Sequence, residues 1–385
     1  MTVRERFWRT MRFETVDRLP FWSDWLGPWQ TWSQQGLPVS RDVDEQTFDR
    51  RAWFIEHFGF DGMYSAFWGQ PRVPVNIGVC PAFPYEVFET TDATVVYRNA
   101  NGVIVRQFEH PNSSLVSTQF VEYPIKSRRD WVRFRDEHLD PAAPGRYPDD
   151  AEWAALKATW ETTDQVISID GGSFYGFLRD WIGFEALSYL LYDDPGLVRE
   201  MMDYLGDFLV EVLHRALDEV RIDFAMFWED MCYNAGPLLS PRMFREMMLP
   251  NYRKVTSLLE DHGVELSWVD CDGNIEALIP LWIEGGVRGF YPLEVASGMD
   301  AAKLRRQYGR KIVMWGNVDK RALTKGPEAI DAELARLAPV VAQGGFIPLV
   351  DHGVPDDVPY THYLYYLEQR KRLTGCVGVG KDWTS

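Results

Sequence analysis

"VELSWVDCDGN", residues 264–274, is an apolar run that stops on acid and then turns on Gly273-Asn274. Its length and its valine, leucine and tryptophan content predict a buried strand, with Asp270 and Asp272 at its end. The same pattern recurs on both sides. Before it come Leu19–Asp24 (LPFWSD), Gly62–Trp68 (GMYSAFW), Val166–Asp170 (VISID) and Phe224–Asp230 (FAMFWED). After it come Val287–Glu294 (VRGFYPLE), Ile312–Asn317 (IVMWGN) and Phe346–His352 (FIPLVDH). Eight apolar runs, most followed by a helical pattern, predict an α/β fold of the (β/α)8 TIM-barrel type. Pro292 and Pro348 fall inside two of the runs and are expected at strand ends or bulges.

The helices between the runs are well punctuated. Asp193-Asp194-Pro195 opens one, in which Val198, Met202, Leu205, Leu209, Val212 and Leu213 recur at helical spacing. Ser240-Pro241 is an N-cap with proline in the first turn; Pro250 should kink that helix, and His262-Gly263 should end it. Residues 83–125 break the rhythm. TVVYRNANGVIVRQF alternates around Asn-Gly, a hairpin signal. The expectation is one barrel domain over residues 1–385, with a hairpin inserted at about 83–125 as a lid or decoration.

A chain of 385 residues with 46% apolar content can bury a large core. Its net charge of −17 argues against nucleic acid and anionic membranes as partners. Four dispersed cysteines without a CxxC pair point away from a disulfide scaffold and toward a reducing compartment. The first 20 residues are charged throughout, and no run has the length of a membrane helix. A soluble cytoplasmic protein is expected.

In a barrel the C-terminal strand ends share one face, where catalytic groups collect. That face gathers Asp24, Asp170, Glu229, Asp230, Asp270, Asp272, Glu294, Asn317, Asp351 and His352. Carboxylates so crowded need a cation, a shared proton or a cationic ligand. Asp270, Asp272 and His352 are the candidate ligands of a divalent metal such as zinc, with Glu229 as a fourth. Glu229, Asp270 and His352 are also the candidate proton-handling groups. The alternative for the Asp-x-Asp pair is that one residue caps the following helix while the other meets an arginine. Cys271, between the aspartates, should face away from them and pack. "DGGSFYGF", residues 170–177, reads as a turn into a helix N-terminus able to hold an anion. Trp22, Trp25, Trp29 and Trp32 could wall a site for an organic cation, a methoxylated aromatic or a sugar face. The expected substrate-binding residues are Trp22, Asp24, Trp25, Tyr175 and Asn317.

Three segments carry a resemblance. RERFWRTMRFETVDRLPFW at the start, GPLLSPRMFREMMLPNYRKV in the middle and GGFIPLVDHGVPDDVP near the end resemble the uroporphyrinogen decarboxylase superfamily. That resemblance implies a (β/α)8 barrel. True uroporphyrinogen decarboxylases carry an arginine-rich segment after the first strand, where this chain has SDWLGPWQTW without arginine. The corrinoid-dependent methyltransferase branch binds zinc through His-x-Cys-Gly-Asn and a later cysteine. "DCDGN" is similar to that segment, with Asp270 at the histidine position, Asp272 at the first cysteine and His352 near the second. Replacing sulfur by carboxylate gives a harder site, suited to oxygen substrates. A methyltransferase acting on a small methoxylated or methylated substrate is therefore expected. No D-x-H-x-x-G corrinoid motif is present, so a corrinoid would come on a separate partner protein. A second copy of the chain, in a homodimer, is the other candidate partner. Two further readings stay open: a decarboxylase or lyase using Asp/His acid–base chemistry, and a non-catalytic barrel that binds a small ligand.

Overall fold

The six runs from Val166 onward each form a strand in the computed structural model, which describes residues 1–26, 28–39, 50–62, 71–108 and 117–379. In chain order the strands are β1 (Glu86–Thr90), β2 (Thr94–Arg98), β3 (Ile104–Phe108), β4 (Ser117–Glu122), β5 (Ser168–Gly172) and β6 (Phe224–Trp228). They continue with β7 (Cys232–Tyr233), β8 (Gly236–Pro237), β9 (Ser267–Asp270), β10 (Gly289–Tyr291), β11 (Val313–Val318) and β12 (Phe346–Val350). One parallel sheet runs β12-β11-β10-β9-β6-β5. Parallel bridges extend the sheet at both edges: Arg72 with Ser168, Leu26 with Val354 beyond β12, and Trp22 with Gly62. The first run thus contributes a stave at Trp22. The second begins at Gly62, and its residues 63–68 lie outside the described ones. The fold is a (β/α)8 barrel.

Strand alternation sorts side chains between two cores. Met226, Trp268, Tyr291, Trp315 and Leu349 fill the barrel interior with Trp22. Phe227, Val269, Phe290, Met314 and Val350, each one residue away, face the helical shell. The interior indoles are tightly nested, with the rings of Trp268 and Trp315 centred 4.0 Å apart. Gly289 makes room for them, because a Cβ there would lie 2.2 Å from the Trp268 ring. The helix Val3–Met11 closes the N-terminal end: Phe7 stacks on Trp22 at 5.4 Å, and Arg4 and Trp8 donate to Asp223 just ahead of β6.

Pro292 follows the end of β10, as its missing N–H requires. Pro348 does not mark an end or a bulge; it lies within β12, in unbroken register opposite Gly316. The reason is orientation. The amide of Val350, two residues on, points to Asp24 instead of β11, so the nitrogen of Pro348 also faces away from the ladder.

Asp194 and Ser240 cap their helices through the amides of Leu197 and Met243, and His262 ends the second helix. Pro250 is accommodated by a wide π-turn over Phe244–Met248 that precedes Leu249–Asp261. The insertion is larger than a hairpin. β2 and β3 pair from Thr94–Phe108 to Arg98–Ile104, and β1 and β4 flank them in a four-stranded antiparallel sheet. Asn99 closes the turn by accepting from Asn101 and Val103. β1 and β4 are exposed along their whole length, so their composition carried no amphipathic signal. Among the described residues no helix is long and apolar enough to cross a membrane.

Candidate active site at the barrel mouth

β9 delivers Trp268 and Asp270 to the interior and Val269 to the shell. Cys271 then packs in the shell core, its sulfur accepting from the Met231 amide, as alternation requires. Asp272 returns to the mouth. Gly273 makes the turn at φ +82°, where a Cβ would lie 2.6 Å from the carbonyl carbon of Cys232. Neither aspartate caps the following helix, Ile279–Glu284, which begins after Leu278 without a side-chain cap; Asn274 closes the intervening turn by accepting from the Glu276 amide.

The carboxylates of Asp230, Asp270 and Asp272 converge, with one oxygen from each within 4.8 Å of the others. Asp230 stands just past β6 at φ +40°. Its Oδ2 accepts from Trp228 at 3.1 Å and its Oδ1 from the Asp272 amide at 3.3 Å. Burial, with the charge of Asp272 behind it, pushes Asp230 up to about 6. Asp270 is raised well above the carboxylate range, by burial first and then by Asp230 and Asp272. Among the described residues no hydrogen-bond donor to the Asp270 carboxylate is found. His352 brings Nε2 to 3.4 Å from Asp272, and that contact raises the imidazole pKa against the effect of burial.

The rim is braced by a second set of contacts. Glu294 accepts from the Gly273 amide and pairs with Lys320 at 3.2 Å. Asp351, fully buried, accepts from the amides of Val295 and Lys320, tying the loops after β10 and β11 to His352. Burial raises Asp351 to about 6 against those two amides. Trp25 lies over the mouth, 47% exposed, with its ring 5.0 Å from that of His352.

Five of the expected site residues lie buried in the scaffold instead. Glu229 is fully buried and accepts from Ser173, the amides of Phe174, Tyr175 and Gly176, and the Tyr252 hydroxyl. The turn at 170–177 does hold an anion, and that anion is Glu229. Spent on these donors, Glu229 has no free lone pair aimed at a metal. Asp24 is buried in a pair with Arg370 at 3.0 Å and accepts from Tyr363, Tyr366 and Val350. Asn317 bridges Leu293, Met299, Ala301 and Arg336 behind the sheet. Trp22 belongs to the interior core. Tyr175 is buried too, its hydroxyl without a partner among the described residues and raised to about 12 by burial. Trp29 and Trp32 join the shell core, which leaves Trp25 as the tryptophan of that cluster at the mouth.

The residue underweighted from sequence is Asp230. The signal was there: in FAMFWED, Met226, Trp228 and Asp230 share the inward face, and Glu229 must face the shell. Asp170 stays apart from the cluster, 3.7 Å from Arg72.

A family model described as "Uroporphyrinogen decarboxylase (URO-D)" matches residues 179–373. Among curated relatives, a uroporphyrinogen decarboxylase of Pseudomonas fluorescens is 26% identical over 217 residues, 54% of this chain and 55% of that protein. One from Actinobacillus pleuropneumoniae is 24% identical over 197 residues, 50% of this chain and 51% of that protein. The chain spans about half the length of these relatives. Among solved structures, a methyltransferase from Methanosarcina mazei superposes with a TM-score of 0.59 at 15% identity, covering 97% of this chain and 98% of that one. That likeness is one of fold. With the family match running from Arg179 through the acidic cluster to Leu373, this chain belongs to the uroporphyrinogen decarboxylase family.

Proposed function

We propose that this protein is a metal-assisted methyltransferase, which takes a methyl group from a small methoxylated or methylated organic substrate and passes it to a separate corrinoid protein. The observation that carries the reading is the convergence of Asp230, Asp270 and Asp272 beside His352. Asp270 has two carboxylates close by and no donor among the described residues, so a cation fits it chemically. The donor set, three carboxylate oxygens with an imidazole next to them, suits a divalent ion such as zinc or a harder one. Asp230, Asp270 and Asp272 would hold it, with His352 joining them or holding Asp272. Such an ion would supply Lewis-acid polarisation of a substrate oxygen.

The chain's own groups do the rest. Trp25 offers an exposed aromatic face at the entrance, and the surrounding carboxylates disfavour a polyanionic substrate. Cleaving an O–CH3 bond leaves an oxyanion that needs a proton. His352, its pKa raised by Asp272, is placed to hold one and release it at Nε2. Glu294 neutralises Lys320, which keeps that ammonium from acting as a carboxylate anchor.

One observation favours a second reading. Asp230 at about 6, next to a raised Asp270, can share a proton without any metal, as a decarboxylase or lyase of this family would require. Incubation with methoxylated aromatics or methylamines and cob(I)alamin separates the two. Formation of methylcobalamin, lost in Asp270→Asn, is expected. Release of carbon dioxide from a carboxylated substrate with no methylcobalamin would overturn the methyl-transfer reading in favour of the second.

A further inference from the structure

At the opposite end of the barrel, two shell helices meet at another group of ligating side chains. His214 and Asp218 stand one turn apart on the helix Pro195–Glu219, and His262 is the C-cap of the helix Leu249–Asp261. One ligand atom from each lies within 4.8 Å of the other two. His262 Nε2 is 3.1 Å from Asp218 Oδ1, and His214 Nδ1 is 3.7 Å from Asp218 Oδ2. The two imidazoles meet edge to face, their centroids 5.4 Å apart.

A contact outside the cluster orients the key ring. His262 Nδ1 lies 2.8 Å from the carbonyl oxygen of Leu258. A carbonyl only accepts, so Nδ1 carries the hydrogen, and the neutral ring turns a lone pair on Nε2 toward Asp218. Two acceptors facing each other are unfavourable unless a proton or a cation lies between them. Histidine ligands in metal sites are commonly oriented by this Nδ1–H to carbonyl bond.

We propose that His214, Asp218 and His262 form a second metal site, which takes one divalent transition ion of the zinc, nickel or copper class. Two imidazoles and one carboxylate select that class over magnesium or calcium, which prefer oxygen alone. His214 and Asp218 are about half exposed, so water completes the coordination. The ion is structural, since it joins two helices behind the N-terminal ends of the strands, away from Asp270. It therefore stabilises the folded chain by mass action.

The test compares zinc titrations of metal-free wild-type chain and His214→Ala by calorimetry and thermal unfolding at pH 7.5. Ions bound at the barrel mouth are common to both and cancel. The expected result is one fewer zinc per chain in His214→Ala and a smaller zinc-induced rise in Tm, with Asp218→Asn behaving alike. His214 lies on the helix surface, so the variant should fold as wild type does in the absence of metal. Equal stoichiometry and equal Tm response in wild type and both variants would overturn the proposal and leave the cluster as an ion pair of protonated His262 with Asp218.

Discussion

Glu229 and Asp230 are neighbours with opposite duties. Glu229 points into the shell, where its five donors come from two segments of chain, Ser173–Gly176 and Tyr252. Glu229→Gln replaces an ideal acceptor with a group that brings its own N–H toward those donors. A loss of about 2–4 kcal/mol is expected from denaturant unfolding, whatever happens to activity. Asp230→Asn should do the reverse, removing repulsion in the mouth while preserving the fold. The sign with pH follows from the raised pKa of Asp230. Its folded value of about 6 lies above the ordinary 3.8, so its contribution is fully present below pH 3.8 and lost as pH rises through 6. Asp270, raised by burial and then by Asp230 and Asp272, contributes in the same direction. Metal-free wild-type protein should therefore lose stability relative to Asp230→Asn between pH 4 and 7, by on the order of 1–3 kcal/mol. Thermal unfolding across that range checks it; a constant difference would refute the raised pKa that burial and Asp272 give Asp230. His352 acts in the same direction, its raised pKa giving stability that fades as pH climbs past it.

At the scale of elements, alternation explains both what was legible and what was not. It placed Cys271 in the shell and Asp230 in the mouth, because both lie on or just past regular strands. It could not place Asp24 or Asn317. Each lies at the end of a strand run, but Asn317 turns to Leu293, Met299 and Arg336, and Asp24 turns back to Arg370 on the last helix, 346 residues away. No local pattern encodes a partner at that distance. The insertion was half legible for a similar reason: β2 and β3 alternate, whereas the exposed β1 and β4 do not. The turn after β9 is the element most sensitive to change. Gly273→Ala would force a side chain into the backbone of Cys232 at a left-handed φ, costing about 1–3 kcal/mol. It should also displace Asp272 and weaken divalent-ion binding at the mouth. Unchanged ion affinity in a folded Gly273→Ala chain would count against the turn as the device that aims Asp272.

Across the whole molecule, the architecture was readable because seven of the eight apolar runs end in polar residues, a repetition that a barrel imposes and few other folds require. The interior confirms why: tryptophans too large for most cores fit once Gly289 yields space and the N-terminal helix seals the base. What sequence left open was which acids meet, since that depends on loops whose conformations are set by remote contacts such as those of Asp351 and Glu294. The convergence of three carboxylates at the mouth makes a bound cation the simplest resolution of the repulsion between Asp230, Asp270 and Asp272. The direct test is a divalent-ion titration by calorimetry in the His214→Ala background, with and without Asp270→Asn. One ion per chain in the first and none in the second is the expected result. The same stoichiometry and affinity in both would contradict the account, because the three carboxylates would then coexist without the cation they are taken to hold.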